Sequence, residues 1–241
     1  MVLRRLLGVA VALSAAWSSI AAAQAIAIAP VTIALRPGEL TTTVTVTNRG
    51  PSETAVQVRA FDWDQAGGED RLEPTRDLLV SPPISKIGPG QTQIVRLLLK
   101  RPATAEEGSY RIFFDDIPTA LPANGVRVAL RISVPVFAAA AVPAKAQLSW
   151  RAETGGPGEA VLSIANSGLR HAHLADLRVI LADRGEIRPQ GAASLYVLSG
   201  ATIHLRLAGH AAGLAPGATL RISARSEGGE IVVPVLILPR R

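Results

Sequence analysis

The chain has 241 residues, 48% of them hydrophobic and 18% charged, with a formal net charge of +6 at pH 7. That balance supplies one or two packed cores and excludes disorder over most of the length. Its 25 basic residues form no clustered run and only 4% of residues are aromatic, so the footprint of a nucleic-acid binder is missing. With no cysteine there is neither a disulfide framework nor a thiolate metal site.

In chain order the first element is a leader. MVLRRLLGVAVALSAAWSSIAAAQA sets Arg4 and Arg5 before a short apolar run and ends in small residues, with Ala23-Gln24-Ala25 as the Ala-x-Ala cut. Ser14, Ser18 and Ser19 interrupt the run, which falls short of the roughly 20 residues that a span needs. Residues 1–25 therefore read as a secretory signal peptide, with no membrane insertion after its removal. The mature chain keeps 23 basic and all 19 acidic residues, a net charge of about +4.

From Ile26 nearly every periodic stretch has period two, and Gly, Pro and Asn separate the stretches. VTIALRPGE leads into LTTTVTVTNRG, and TAVQVRAFDWDQ into the turn AGGEDRL. The edge DLLVSPPISKIGPGQ comes next, then TQIVRLLLKRP and SYRIFFDDIP. GVRVALRISVPVF alternates over an unusual length: Val126, Val128, Leu130, Ile132, Val134 and Val136 share one face, and Arg127, Ala129, Arg131, Ser133, Pro135 and Phe137 the other. Strands usually end after about five or six residues. Pro135 also removes a ladder donor, which places this strand at a sheet edge, where an apolar strand invites pairing with another chain.

AAAAVPAK then reads as a linker, with the boundary near Val142, dividing the chain into 26–142 and 143–241. The second part repeats the style in AQLSWRAE, GEAVLSIANSG, AHLADLRVIL, SLYVLSG, ATIHLRLAG, ATLRISARSEG and EIVVPVLIL. The fold class is all-β, two sandwiches in tandem.

Chemistry is sparse. Asp62, Asp64, Gly67 and Glu73 occupy the first, third, sixth and twelfth positions of a calcium loop, but Ala66 fails at the fifth and the flanks are strands. A hairpin turn on Gly67-Gly68 accounts for the same residues. His171 and His173 share a strand face, and His204 or His210 would have to complete a metal site. No carboxylate is tied to them by spacing, which assigns them structural or surface roles. A Gly-x-Ser-x-Gly elbow and a Gly-rich phosphate loop are both missing. The reading is of a non-enzyme without cofactor or metal.

One long stretch carries a resemblance. FDWDQAGGEDRLEPTRDLLVSPPISKIGPGQTQIVRL holds Trp63, Gln65, Leu72, Thr75, Ser81-Pro82-Pro83 and Pro89-Gly90 in an order that resembles the periplasmic pilus-assembly chaperones of the chaperone/usher pathway. SYRIFFDDIP and LRISVPVF are similar to that family's last two strands of domain one, and NSGLRHAHLADLRV and LYVLSG to its second domain. The likeness is nearest to the archaic, spore-coat-U-associated branch. It implies two immunoglobulin-like sandwiches set at an angle, in the periplasm, with pilin-like subunits and an outer-membrane usher as partners, and neither cofactor nor ATP. It also implies that Val126, Val128, Leu130 and Ile132 form a donor strand for a subunit that lacks its own last strand. Family members hold the subunit's terminal carboxylate with two basic residues. Here Thr32 stands where the first is expected, and Arg131 or Ser133 matches the second, Arg131 being the best single candidate for the anchor; Arg111 or Arg36 would substitute for the missing base. The rival class is an exported structural or adhesive sandwich protein that self-assembles through the same edge.

Overall fold

Period-two patterning leaves the backbone to satisfy its hydrogen bonds between strands. The computed structural model, which describes residues 26–117, 130–182, 185–209 and 211–240, shows eighteen of them. The first ten are β1 (Ile26–Ala29), β2 (Ile33–Leu35), β3 (Thr41–Asn48), β4 (Thr54–Asp64), β5 (Arg71–Pro74), β6 (Leu78–Ser81), β7 (Ile84–Ile87), β8 (Thr92–Leu99), β9 (Gly108–Ile117) and β10 (Arg131–Ala138). One sheet runs β1-β3-β8-β6, and the facing sheet β2-β10-β9-β4-β5 with β7 also on β4. Alternate residues meet between them: Val44, Val46, Val95 and Leu97 pack with Val58, Ile112, Phe114, Val134 and Val136.

The remaining strands are β11 (Leu148–Gly156), β12 (Glu159–Asn166), β13 (Ala172–Ile180), β14 (Glu186–Ile187), β15 (Ser194–Val197), β16 (Thr202–Ala208), β17 (Thr219–Ser226) and β18 (Gly229–Leu238). Their order is β14-β13-β17-β18-β11-β12-β16, with β15 on β13. The sheet doubles over at the short β18–β11 junction, so Leu162, Ile164 and Leu205 pack on Leu174, Val179 and Ile222 in a second core. The chain is thus all-β, two immunoglobulin-like sandwiches in tandem.

Both sandwiches use the same buried asparagine turn. Asn48 Nδ2 donates to Ser52 O and Ile87 O at 2.7 and 2.9 Å while its Oδ1 accepts from Gly50 N. Asn166 Nδ2 donates to Arg170 O and Val197 O at 2.8 and 3.0 Å while its Oδ1 accepts from Gly168 N. A side chain that can donate twice and accept twice is needed to close such a turn away from water.

Two sequence expectations are refined. The edge stretch after Arg76 splits into β6, terminal in its sheet, and β7, which sits on β4 instead. The alternating strand expected from Gly125 becomes regular only at Arg131; Val126 and Val128 lie outside the described residues.

Candidate functional site

The feature that singles out β10 is unequal pairing. On one side it is matched to β9 along its whole length, from Arg131↔Asp115 to Ala138↔Gly108. On the other it meets β2, in parallel, only at Val136, Phe137 and Ala138. Residues Arg131 to Pro135 therefore present an open edge among the described residues. Asp116 N donates to Leu130 O at 2.9 Å, which sets the phase of the ladder: even-numbered residues bond to β9 and odd-numbered ones turn their amide groups outward. The missing N–H of Pro135 falls on the open side and removes no bond to β9. Pairing runs straight through it, so Pro135 does not end the strand's ladder.

The even face divides along its length. Val134 and Val136 are buried in the first core, Ile132 packs half-buried against it, and Leu130, just before the strand, is 40% exposed.

The odd face carries the charges. Arg131 Nε donates to Asp115 Oδ1 at 2.5 Å, and Arg59 reaches the other oxygen of the same carboxylate at 2.7 Å. Burial works to raise the Asp115 pKa, but the hydrogen bonds from Arg131 and Arg59 outweigh it and hold the carboxyl below its ordinary range. The guanidiniums also lie over Phe113 and Phe61, whose rings are 5.0 Å apart. Arg131 is thus already engaged. Ser133 Oγ accepts from Arg111 Nη1 at 3.4 Å. Thr32 is exposed one residue before β2, where the β2–β10 pairing begins. Arg36 is exposed in the turn after β2.

Arg111 stands apart. Its guanidinium lies 3.7 Å above the Trp63 ring and faces Tyr196, and among the described residues Asp70 is the one carboxylate it pairs with, at 3.7 Å. Burial pushes its pKa below the usual arginine value, against the opposing pull of Asp70. With Trp63, Gln65, Asp70 and Tyr196 it lines a cleft of about 220 Å³ between the two sandwiches.

Side chains from both halves meet here. Gln65 Nε2 donates to Tyr196 O at 2.9 Å, and its Oε1 accepts from Leu198 N at 2.9 Å. Phe137, near the end of β10, stacks on His171 with ring centroids 3.6 Å apart. His171 Nδ1 lies 2.6 Å from Glu107 Oε2, which also accepts from His171 N; the two side chains are 5% and 4% exposed. His204 bonds Ser163, and His173 bonds Ser194 and stacks on Tyr196. Spacing alone carried no sign of the Glu107 partnership.

At the supposed calcium loop, Asp62 and Glu73 sit opposite each other on β4 and β5, and Gly67 and Gly68 take positive φ in the turn between the strands. Asp64 Oδ1 accepts from Ala66 N. Among the described residues no three potential ligands converge on a metal position.

Residues 25–142 match the family model described as pili and flagellar-assembly chaperone, PapD N-terminal domain. Among curated proteins no sequence matches. Solved structures align over most of the chain. The CsuC–CsuE chaperone–tip subunit pre-assembly complex, from archaic chaperone-usher Csu pili of Acinetobacter baumannii, matches at 24% identity and a TM-score of 0.67, over 90% of this chain and 100% of that one. The YadV chaperone matches at 17% and 0.61, over 87% and 98%. A Salmonella enterica SafA pilin–SafB chaperone complex matches at 16% and 0.58, over 88% and 95%. At these identities the structures establish a shared fold. The family model adds descent through the half that holds the open strand edge, and on it the chain belongs to the pilus-assembly chaperones.

Proposed function

We propose that the chain is a periplasmic chaperone that holds pilus subunits by donor-strand complementation and passes them to an outer-membrane usher. The carrying observation is the half-paired β10, whose open edge from Arg131 to Pro135 lies in the half matched by the family model. A subunit lacking its last strand needs backbone partners on one edge and alternate apolar side chains for its groove. Leu130, exposed at the entry to β10, supplies such a side chain, and Val126 and Val128 continue its period-two pattern in the sequence. Each such burial contributes roughly 1.5–3 kcal/mol, enough to hold a subunit reversibly. Ile132 serves its own core in part, so it is the inner limit of the donor face. Solved complexes of the same fold contain a tip adhesion subunit in one case and a pilin in another. We assign 26–142 to the strand-lending domain and 143–241 to the second.

For the carboxylate anchor the geometry favours Arg111 over Arg131. Arg131 shares Asp115 with Arg59, whereas Arg111 is desolvated in the cleft with one carboxylate at 3.7 Å. Charge-assisted hydrogen bonds to such a group contribute roughly 1.5–3 kcal/mol. Co-expression with a tagged fimbrial subunit tests both points. Leu130→Glu is expected to abolish recovery of the subunit while leaving the chaperone folded, and Arg111→Ala to reduce recovery more than Arg131→Ala does. Undiminished recovery with Leu130→Glu would falsify the donor assignment.

A further inference from the structure

The last strand of the second sandwich repeats the last strand of the first. Residues 132–136 of β10 read ISVPV and residues 231–235 of β18 read IVVPV. Each strand runs antiparallel to the one before it, with its proline opposite an arginine: Pro135 to Arg111, Pro234 to Arg221. Each then gains a parallel partner only at its far end, and for β18 this is β11, through Ala152↔Ile237 and Glu153↔Leu238. From Gly229 to Leu236 the other side of β18 has no strand beside it among the described residues. Ile231, Ala146 and Leu148 all line a cavity of about 530 Å³, and the entering strand β11 pairs with β18 only from Ala152 onward.

Ile237 N donates to Ala218 O at 2.9 Å, opposite it in the ladder, so odd-numbered residues of β18 bond to β17. Even-numbered ones face the open side: Glu230 and Val232 offer an N–H and a C=O each, and Pro234 a C=O. The outward surface is where the two strands differ. β10 shows Arg131 and Ser133 there, whereas β18 shows Val232, Leu236 and Leu238, exposed to 53%, 52% and 37%. An apolar stripe beside unpaired backbone is an association surface.

We propose that β18 pairs with β18 of a second copy, antiparallel about a twofold axis through Val232, joining two molecules edge to edge through their second sandwiches. The strand is self-complementary in this register. Val232 exchanges two hydrogen bonds with its twin, and Glu230 N–H reaches the carbonyl of Pro234 on each side, so each proline forfeits one donor and keeps its acceptor. Charges complement as well: Arg225, opposite Glu230 on β17, is bonded to Asp176, and neither Glu230 nor Arg221 makes a side-chain hydrogen bond or ion pair among the described residues. Arg221 lies beside Pro234 on the outward face. Pairing sets Glu230 of one copy next to Pro234 of the other, with the second copy's Arg221 two strands away, about 9.6 Å between Cα atoms, across a low proline ring. Symmetry makes this contact twice. The pairing does not depend on the pilus-subunit reading, because it leaves β10 open in both copies.

Sedimentation velocity on the purified full chain at low salt, across a wide concentration range, tests it. Wild type is expected to show a reversible monomer–dimer equilibrium that added salt weakens. Val232→Lys, at an exposed position, should leave the circular dichroism unchanged and abolish the dimer. Glu230→Arg and Arg221→Glu singly should each weaken it roughly threefold to tenfold, as loss of two exposed ion pairs implies, and the double exchange should recover most of that loss. A wild type that stays monomeric at every concentration overturns the proposal. So does a dimer that survives Val232→Lys, or one lost on Ser133→Lys in β10 instead.

Discussion

Asp115 decides which arginines of the cleft face are spoken for. Its carboxylate accepts from Arg59 and Arg131 at 2.7 and 2.5 Å, and its pKa lies below the ordinary range because those bonds outweigh the effect of burial. A depressed carboxylate pKa stabilises the fold at every pH above the unfolded value, and the contribution is lost as pH falls through the folded value. Asp115→Asn is therefore expected to lower stability at neutral pH, with the gap to wild type closing in acid below about pH 4. Urea melts of both proteins across that range check it, and a gap that widened on acidification would contradict the assignment. None of this was legible locally. Arg131 lies 16 residues from Asp115 and Arg59 lies 56 away, so only strand pairing brings them together.

At the scale of elements the period-two pattern did most of the work. Almost every alternating stretch named in the sequence became a strand, because one buried and one outward face leave a strand little choice of register. The exceptions are instructive. The run from Asp77 to Gln91 looked like one edge and is two short strands in different sheets, since Pro82 and Pro83 interrupt the ladder between them. Pro135 rightly signalled an edge, but the side on which its lost donor falls is set by the pairing with β9. Two substitutions separate the sides. Pro135→Ala should cost only about 0.4–1 kcal/mol, through the freer unfolded chain. Val134→Pro removes an N–H that faces β9 and leaves a buried acceptor unmet, a loss of roughly 1–3 kcal/mol or more. Equal losses in chemical denaturation would mean that the ladder phase is wrong.

For the whole molecule the decisive contacts are those that tie the sandwiches together. Glu107 and His171 are 64 residues apart, and the histidine's ring rests on Phe137 of β10, so the second sandwich grips the root of the strand that the first one offers. A second stop lies at the tip of the β4–β5 turn. A Cβ built on Gly68 would overlap His204 Cδ2, so the turn seats directly on that ring. Histidines in the sequence carried no such message, because a ring that ends up between domains has the same neighbours in sequence as one on a surface. His171→Phe keeps a ring over Phe137 but leaves the buried Glu107 carboxylate without its closest partner, a cost on the order of 1–3 kcal/mol or more. Calorimetry is expected to show a lower melting temperature, with faster amide exchange at 107–110 and 137–138 if the grip is released. An unaltered exchange pattern there would limit His171 to its own sandwich.

Trp63, finally, makes the cleft optically readable. Its indole lies under the Arg111 guanidinium at 3.7 Å, its buried Nε1 has no hydrogen-bond partner among the described residues, and Tyr196 meets it edge-on at 5.5 Å. After residue 25 the chain has one other tryptophan, Trp150, on β11 of the second sandwich. In a Trp150→Phe background the emission reports on Trp63 alone. A carboxylate drawing Arg111 off the ring would remove a positive charge from the indole face, so a fluorometer can follow arrival and departure of cargo without any label.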